Sequence, residues 1–132
     1  QTLSRIIDVF PAGQQQQVRT QISGSLRAVL CQQLVRDSLN ESLVPSTELL
    51  IATPAIRRAI RENELHLIYG MIETGRRMGM HTMEQSLAVL VKDGKVSLEE
   101  AMSVASEPHL VEKLVDSRAV SVGPQRESVS TR

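Results

Sequence analysis

The sequence predicts a mostly α-helical protein with one small β-hairpin, on three observations. The 132 residues include one Phe, one Tyr and no Trp, so the core must be aliphatic, which suits packed helices better than packed sheets. Apolar residues recur every three or four positions along most of the chain, often behind helix-start signals. One stretch before residue 52 lacks this helical spacing of apolar residues and has turn-forming residues in its middle, which indicates two strands.

Two helices are predicted before the hairpin. The first is the tail of a helix and ends at Pro11, and its apolar residues are Leu3, Ile6, Ile7 and Phe10. The second is predicted over residues 14–30, with its glutamine-rich first turn facing water and an apolar face formed by Val18, Ile22, Leu26, Val29 and Leu30. Because the chain starts with Gln1 and not with Met, we expect it to be part of a larger protein.

The predicted hairpin consists of a short strand from Cys31 and a second strand over residues 43–51. The polar residues 37–42 supply the turn between them. Pro45 has no N–H group to donate to a sheet, so it predicts an edge strand or a strand start.

The next two predicted helices follow the hairpin directly. Thr53 and Pro54 form a helix-start signal, a capping hydroxyl followed by a ring with a helical φ. The helix that they open is predicted to have Ala55, Ile56, Ala59 and Ile60 on one apolar face and Arg57, Arg58, Arg61 and Glu62 on the others. The helix after it is predicted to end near Gly75 in a left-handed cap, with Leu65, Ile68, Met71 and Ile72 facing inward.

Two further helices are predicted from the spacing of a capping box. Thr82 and Gln85 start the first, which ends at Gly94, and Ser97 and Glu100 start the second. A last short helix is predicted after Pro108, around Leu110, Val111 and Leu114. The predicted organisation is thus three parts: residues 1–52, a helical part over residues 53–115, and a disordered tail over residues 116–132.

Charge and cysteine content exclude several classes of partner. The 15 basic residues balance the 15 acidic ones, so neither nucleic acid nor an anionic membrane surface is predicted to bind. The single Cys31 cannot form an internal disulfide, and we interpret it as a buried small hydrophobe. No secretory signal or long apolar run occurs, which predicts a cytoplasmic chain without direct membrane insertion.

No catalytic, cofactor-binding or metal-binding residue is predicted in this chain. The sequence lacks the G-x-x-x-x-G-K-[ST] loop that cradles nucleotide phosphates, so the chain alone is predicted to be inactive as an ATPase. Its three histidines, His66, His81 and His109, have no ligand spacing that predicts a metal site. A triad of Ser4, His66 and Asp8 lacks any supporting elbow or oxyanion motif.

The cationic helix that starts at Pro54 is the candidate functional site. On physical grounds alone, an ordinary amphipathic surface helix is the favoured interpretation, with an Arg58–Glu62 pair one turn apart. The alternative is a docking surface, because Arg is suited to interfaces and to bidentate pairing with carboxylates.

A series of motifs, in order, resembles the type IV pilus retraction ATPases of the secretion ATPase superfamily. The resemblance covers about residues 1–105. It rests on Arg-Ile-Ile-Asp-Val-Phe-Pro at residues 5–11, Cys-Gln-Gln-Leu at 31–34, the segment 48–62, His-Leu-Ile-Tyr at 66–69, Thr-Gly at 74–75, Gly-Met at 79–80, Thr-Met-Glu-Gln-Ser-Leu at 82–87 and Ser-Leu-Glu-Glu-Ala at 97–101. Segment 48–62 contains the counterpart of the family's retraction motif, usually written Ala-Ile-Arg-Asn-Leu-Ile-Arg-Glu. That counterpart is Ala55, Ile56, Arg57, Arg58, Ala59, Ile60, Arg61 and Glu62.

The resemblance implies a fold and a function for a longer protein. Residues 1–52 would be the distal part of a RecA-like α/β P-loop ATPase core, and residues 53–115 a C-terminal helical domain. The whole would be a homo-hexameric ATP- and Mg²⁺-dependent motor that depolymerises pilin for twitching motility, at the cytoplasmic side of the inner membrane. It would contact inner-membrane pilus platform proteins through the retraction motif. Arg58 and Ala59 depart from the family's usual Asn and Leu.

Two alternatives remain open at this point. The chain could be a non-catalytic helical protein-interaction module, which the missing phosphate loop and the neutral, well-capped helices would suit. It could also come from a related pilus extension or type II secretion ATPase. Such relatives commonly carry a four-Cys metal-binding insert, and Cys31 is the only cysteine in this sequence.

Overall fold

A computed structural model describes residues 2–117 and confirms the mostly helical fold with one β-hairpin. The helices and strands of this part of the chain are α1 (Thr2–Asp8), α2 (Ala12–Ser25), β1 (Ala28–Arg36), β2 (Leu43–Ile51), α3 (Pro54–Arg61), α4 (Ile68–Glu73), α5 (Met83–Lys92), α6 (Leu98–Val104) and α7 (Pro108–Asp116). Short 3₁₀ turns, Leu65–Leu67 and Arg76–Met78, precede and follow α4. Asp116, the first residue of the predicted disordered tail, is instead the last residue of α7, and the tail from residue 118 onward lies outside the described residues.

The boundary between α2 and β1 differs from the prediction. A helix was expected to continue to Leu30, but α2 ends at Ser25 and Leu26 already has an extended ψ of 134°. From Ala28 the exposure alternates along the chain, as it does in a strand, and Leu30 points outward. The residues from Ala28 onward pair with β2, and this long-range pairing overrides an apolar pattern that also fits a helix.

The loop and the second strand of the hairpin have the predicted positions, and the first strand starts three residues before the predicted Cys31. The antiparallel register runs from Ala28 opposite Ile51 to Arg36 opposite Leu43. Asp37 closes its loop, because its carboxylate accepts a hydrogen bond from the Leu39 N–H at 2.7 Å. Pro45 lies opposite Leu34 within β2. Among the described residues the sheet has only these two strands, so both are edge strands and can accommodate proline.

Two apolar clusters form the core, and the hairpin contributes to both. The first joins α1, β2, α3 and α4 and consists of Leu3, Leu50, Ile56, Ala59, Ile60, Ile68, Ile72 and Met80. The second joins β1 to α5, α6 and α7 and consists of Val35, Leu87, Val96, Ala101 and Val111. Each cluster contains residues from before and after Ala52, so the two predicted parts share their packing. The domain division itself stays a prediction.

The helix caps in the second half of the chain lie at the predicted positions. The Gln85 N–H donates to Thr82 Oγ1 at 3.2 Å, and the Thr82 N–H donates to Gln85 Oε1 at 3.0 Å, which completes a capping box. The Glu100 N–H donates to Ser97 Oγ at 3.1 Å and caps α6, but within residues 2–117 no bond from the Ser97 N–H to the Glu100 side chain completes the second predicted capping box. Pro108 occupies the first turn of the last helix.

The predicted left-handed cap at Gly75 is wrong. Gly75 has a φ of −87°, and the left-handed residue is Gly79, with a φ of 89°. Gly75 is required for another reason, since a Cβ there would lie 2.3 Å from Met80 Cε and 2.8 Å from the Met71 carbonyl oxygen. Glycine is therefore required at this position because the Met71 backbone and the Met80 side chain approach it closely. No local sequence pattern predicts this contact.

A matched pair of glycine substitutions tests this close approach. Gly75→Ala should lower the free energy of unfolding by about 1–3 kcal/mol, because the Met71 backbone cannot move away cheaply. Gly70→Ala should raise it by about 0.5–1 kcal/mol, since Gly70 lies within α4 with open space around the position of a Cβ. Urea denaturation of both variants measures the difference. Equal stabilities for the two variants would contradict the described packing.

His81 connects β2 to the segment that enters α5. Its backbone exchanges two hydrogen bonds with Leu49, at 2.9 and 3.3 Å, and its Nε2 lies 2.8 Å from Thr47 Oγ1. Burial of the imidazole lowers the pKa of His81 below its ordinary value, against smaller opposing effects of nearby hydrogen bonds and Glu48. Folding therefore favours the neutral ring.

The lowered pKa of His81 predicts a loss of stability at mildly acidic pH. The unfolded chain, with an ordinary histidine pKa of 6.5, binds protons that the folded chain resists, so stability falls as pH drops through about 6.5 towards the lowered pKa. Urea midpoints between about pH 5.5 and 7.5 should show this slope. His81→Gln, which can keep a hydrogen bond to Thr47, should flatten the slope, and an unchanged slope would rule out His81 as its source.

Candidate functional site

The α3 helix begins where the sequence predicted. Thr53 is its N-cap, and Thr53 Oγ1 accepts a hydrogen bond from the Ile56 N–H at 3.3 Å. Pro54 occupies the first turn, where its missing N–H would have no helical partner. Arg58 and Arg61 lie in the last turn, where positive charge favours the helix dipole.

One face of α3 is part of the first apolar cluster. Ile56 and Ile60 are fully buried, and Ala59 is 2% exposed. Ala55 was predicted on this face but is exposed. At about 100° per residue it lies roughly 90° from the centre of the buried stripe, which is the edge of the apolar face.

Arg57 points toward α2 and is half-buried. Its Nη1 donates a hydrogen bond of 2.6 Å to the carbonyl oxygen of Ser23, a residue that is itself buried. Of the predicted site residues with charged side chains, Arg57 is thus the one that joins α3 to another element of the chain. Its guanidinium satisfies a carbonyl at the end of α2 that has no helical partner.

The remaining motif residues face solvent. Arg58 Nε lies 3.2 Å from the Glu62 carboxylate, and the two side chains are 70% and 44% exposed. Such an exposed pair contributes only a few tenths of a kcal/mol, so it does not hold the helix in place. We refer to Ala55, Arg58, Arg61 and Glu62 as the exposed α3 surface.

Two residues that contact α3 were missed in the sequence. The sequence predicts an ordinary solvated turn at residues 14–17, but Gln16 Nε2 donates a hydrogen bond of 3.1 Å to the Arg61 carbonyl oxygen. Ser23, which accepts from Arg57, was not singled out either. An exposed amide and a backbone carbonyl leave no signature in a sequence, so only the packing of α2 on α3 reveals them.

A cavity of about 540 Å³ lies between α1, the sheet and α4, away from the motif. Its lining includes Cys31, Glu48, His66 and Tyr69, and it includes none of the motif residues. Cys31 was expected to be buried and is only half-buried. The Tyr69 hydroxyl donates to the buried Glu84 at 3.2 Å, and burial and the Glu84 charge raise the pKa of Tyr69 well above its usual range.

Neither a metal cluster nor a membrane span is found among residues 2–117. No three His, Cys, Asp or Glu side chains in this part of the chain are grouped so that they could hold a metal ion. None of its helices has the length and apolarity to cross a bilayer. His66 and His109 are both exposed, the first in the 3₁₀ turn before α4 and the second on α7.

Several known proteins are similar to this chain. The twitching motility protein of Neisseria gonorrhoeae is 46% identical over 100 residues, which cover 76% of this chain and 27% of that protein. The type IV pilus retractation ATPase PilT of Pseudomonas aeruginosa is 39% identical over 107 residues, which cover 81% and 31%. The type IV pilus ATPase PilU of the same organism is 33% identical over 105 residues, which cover 80% and 28%. The chain thus spans about 30% of the length of these relatives. No protein-family model matches it.

Solved structures agree with the sequence comparison. The pilus retraction motor PilT with bound ADP superposes with a TM-score of 0.75 at 38% identity, over 85% of this chain and 31% of that one. The ATPase DotB of Legionella pneumophila has a TM-score of 0.59 at 16% identity, over 78% and 28%, and this likeness shows the fold alone.

The Thr53 cap allows the start of α3 to be tested separately from its packing. Thr53→Ala should lower the free energy of unfolding by about 1 kcal/mol, because the Ile56 N–H loses its acceptor. Thr53→Ser retains the hydroxyl and should stay within a few tenths of a kcal/mol of the parent. Urea denaturation compares the two, and a Ser variant as unstable as the Ala variant would mean that the methyl group, not the cap, matters.

Proposed function

Starting from the homology of this chain to part of the type IV pilus retraction ATPases of the PilT type, we propose that it is the C-terminal part of an ATP-driven pilus retraction motor. The observation that carries the proposal is the match to the retraction motor PilT. Its backbone superposes on 85% of this chain with a TM-score of 0.75, at 38% sequence identity. The predicted role of the whole protein is pilin depolymerisation, which powers twitching motility.

The contribution of this chain to the motor is mechanical. Its sequence has no loop that could cradle nucleotide phosphates, and residues 2–117 provide no cluster of metal ligands. We propose that residues outside this chain hold ATP and Mg²⁺. What the chain offers is an anchored helix with a charged outer surface.

The arrangement of α3 supports a coupling role for the motif. The buried Ile56 and Ile60 fix the helix in the first cluster, and the exposed α3 surface is left for a partner. Its two arginines and one glutamate suit a partner surface with both charge signs, such as a pilus platform protein or another subunit of a homo-hexamer. Such contacts would place the motor at the cytoplasmic side of the inner membrane.

The two departures from the usual motif have different consequences. Ala59 is buried, so the loss of the usual leucine changes packing inside the first cluster. Arg58 is exposed, so the extra charge changes the surface that a partner would meet. We propose that Arg58 adjusts partner preference, and that Ala59 does not.

Substitutions on the exposed α3 surface test the proposed function in the full-length protein. Arg58→Gln and Arg61→Gln should reduce twitching motility by about tenfold or more, since the loss of a hot-spot arginine from an interface weakens binding by at least that much. ATP turnover should remain within about twofold of the parent, because neither side chain would contact the nucleotide.

Arg77→Gln serves as the matched control for these variants. Arg77 is an exposed arginine on the 3₁₀ turn after α4, outside the motif, and its substitution should leave motility unchanged. Normal twitching in both motif variants would contradict the coupling role. A full-length parent protein that hydrolyses no ATP would contradict the motor itself.

A further inference from the structure

Two hydrogen bonds fasten α2 and α3 to each other in a reciprocal way. Arg57 of α3 donates to the Ser23 carbonyl at 2.6 Å, and Gln16 of α2 donates to the Arg61 carbonyl at 3.1 Å. Both acceptors lie in the last turn of their helix, where carbonyl groups have no partner within the helix. Each helix therefore caps the C-terminal end of the other, and we call this pair of bonds the α2–α3 clasp.

The two bonds of the clasp are well separated. Gln16 is near the start of α2 and meets the end of α3, whereas Ser23 is near the end of α2 and meets Arg57 in the first half of α3. The helices thus run antiparallel, and the separation of seven positions between Gln16 and Ser23 corresponds to about 10 Å of helix. Two attachments at this distance oppose rotation of one helix about the other, which a single attachment would permit.

Apolar packing accompanies the two hydrogen bonds of the clasp. Ile22 and Leu26 are half-buried and pack against the first cluster, which contains Ile56 and Ile60. This packing opposes separation of the helices, but it has little directionality. The two hydrogen bonds of the clasp fix the relative orientation of the helices, because a hydrogen bond weakens steeply when donor and acceptor lose their alignment.

Arg19, a neighbour on α2, orients the Gln16 side chain toward α3. Arg19 Nε and Nη2 donate to Gln16 Oε1 at 3.3 and 3.0 Å. Because a guanidinium can only donate, this contact assigns the amide oxygen to Arg19 and turns the amide NH₂ group toward Arg61. The pairing of Arg19 and Gln16 at a spacing of three residues lies on one face of α2.

The α2 helix has few means of its own to stay in place. It contains Gly13 and Gly24, several β-branched or hydroxylated residues, and no side-chain cap at its start. An isolated helix of this length and composition would be marginal in water. Its position is therefore set by what it packs against, and α3 is its main neighbour.

We propose that the clasp joins α2 and α3 into one rigid unit, and that Gln16 and Arg57 are positioning residues that transmit motion from the ATPase core to the exposed α3 surface. The proposal rests on the proposed motor function. It assigns Arg57 a role distinct from that of Arg58 and Arg61, because Arg57 acts on this chain and not on a partner. It also places one coupling residue, Gln16, outside the retraction motif.

Three variants of the full-length protein test the clasp: Gln16→Ala, Gln17→Ala and Arg57→Gln. Gln17 is the matched control, since it is an exposed glutamine on the same turn that makes no side-chain hydrogen bond within residues 2–117. Gln16 is also exposed, so its truncation leaves no buried cavity and the variant should fold. Arg57→Lys is added because it retains a positive donor if the Gln variant is poorly folded.

Each variant is measured in three ways: amide hydrogen exchange in α2 and α3, ATP turnover, and pilus retraction. For Gln16→Ala and Arg57→Gln, exchange should rise by about tenfold in both helices, the equivalent of one lost hydrogen bond at full strength. Retraction should fall while ATP turnover stays at the parent value. Gln17→Ala should match the parent in all three measurements, and Arg57→Lys should be intermediate in exchange and retraction.

The outcomes separate the clasp from the motor. If amide exchange and pilus retraction are the same in Gln16→Ala as in Gln17→Ala, the clasp is overturned and the proposed motor function is not affected. Faster exchange with normal retraction would overturn the transmitting role. If the parent protein neither hydrolyses ATP nor retracts pili, the proposed function fails, and the exchange data alone decide whether the two helices form one unit.

Discussion

The burial of one face of α3 is the interaction on which the rest of the structure depends. Ile56 and Ile60 are completely enclosed by residues of α1, β2 and α4, with half-buried residues of α2 and β1 around them. Elements that are far apart in the sequence therefore meet on a helix of eight residues. Removing a buried isoleucine side chain would destabilise such a core by about 2–5 kcal/mol, so the motif cannot act as a detachable peptide.

The helical period gives the eight motif residues three different tasks. Ile56, Ala59 and Ile60 hold the helix in the core, and Arg57 fastens it to α2. The exposed α3 surface is then presented in a fixed orientation. A motif that appears uniform in sequence is thus a combination of anchor, clasp and outer surface, and a substitution in it is interpreted by the task that it removes.

The features predicted correctly from the sequence are those set by local chemistry. The Thr53 and Thr82 caps depend on a side chain and a backbone group three residues apart, and the polar residues of its loop predict the hairpin. The end of α2 depends instead on pairing with a distant strand, and the need for Gly75 depends on its three-dimensional contact with Met80. Gln16 could not be identified because its acceptor is a backbone carbonyl 45 residues away.

If the clasp joins α2 and α3 into one rigid unit, that unit should keep its internal geometry through the cycle of the proposed motor. The decisive measurement is the distance between spin labels at Gln17 and Ala55, two exposed positions on α2 and α3, in the full-length protein with native cysteines such as Cys31 replaced. Pulsed electron paramagnetic resonance would measure this distance without nucleotide, with ADP and with an ATP analogue. A rigid α2–α3 unit should give one narrow distance distribution in all three states. A distance that changes with the nucleotide would show that the two helices do not move as one unit.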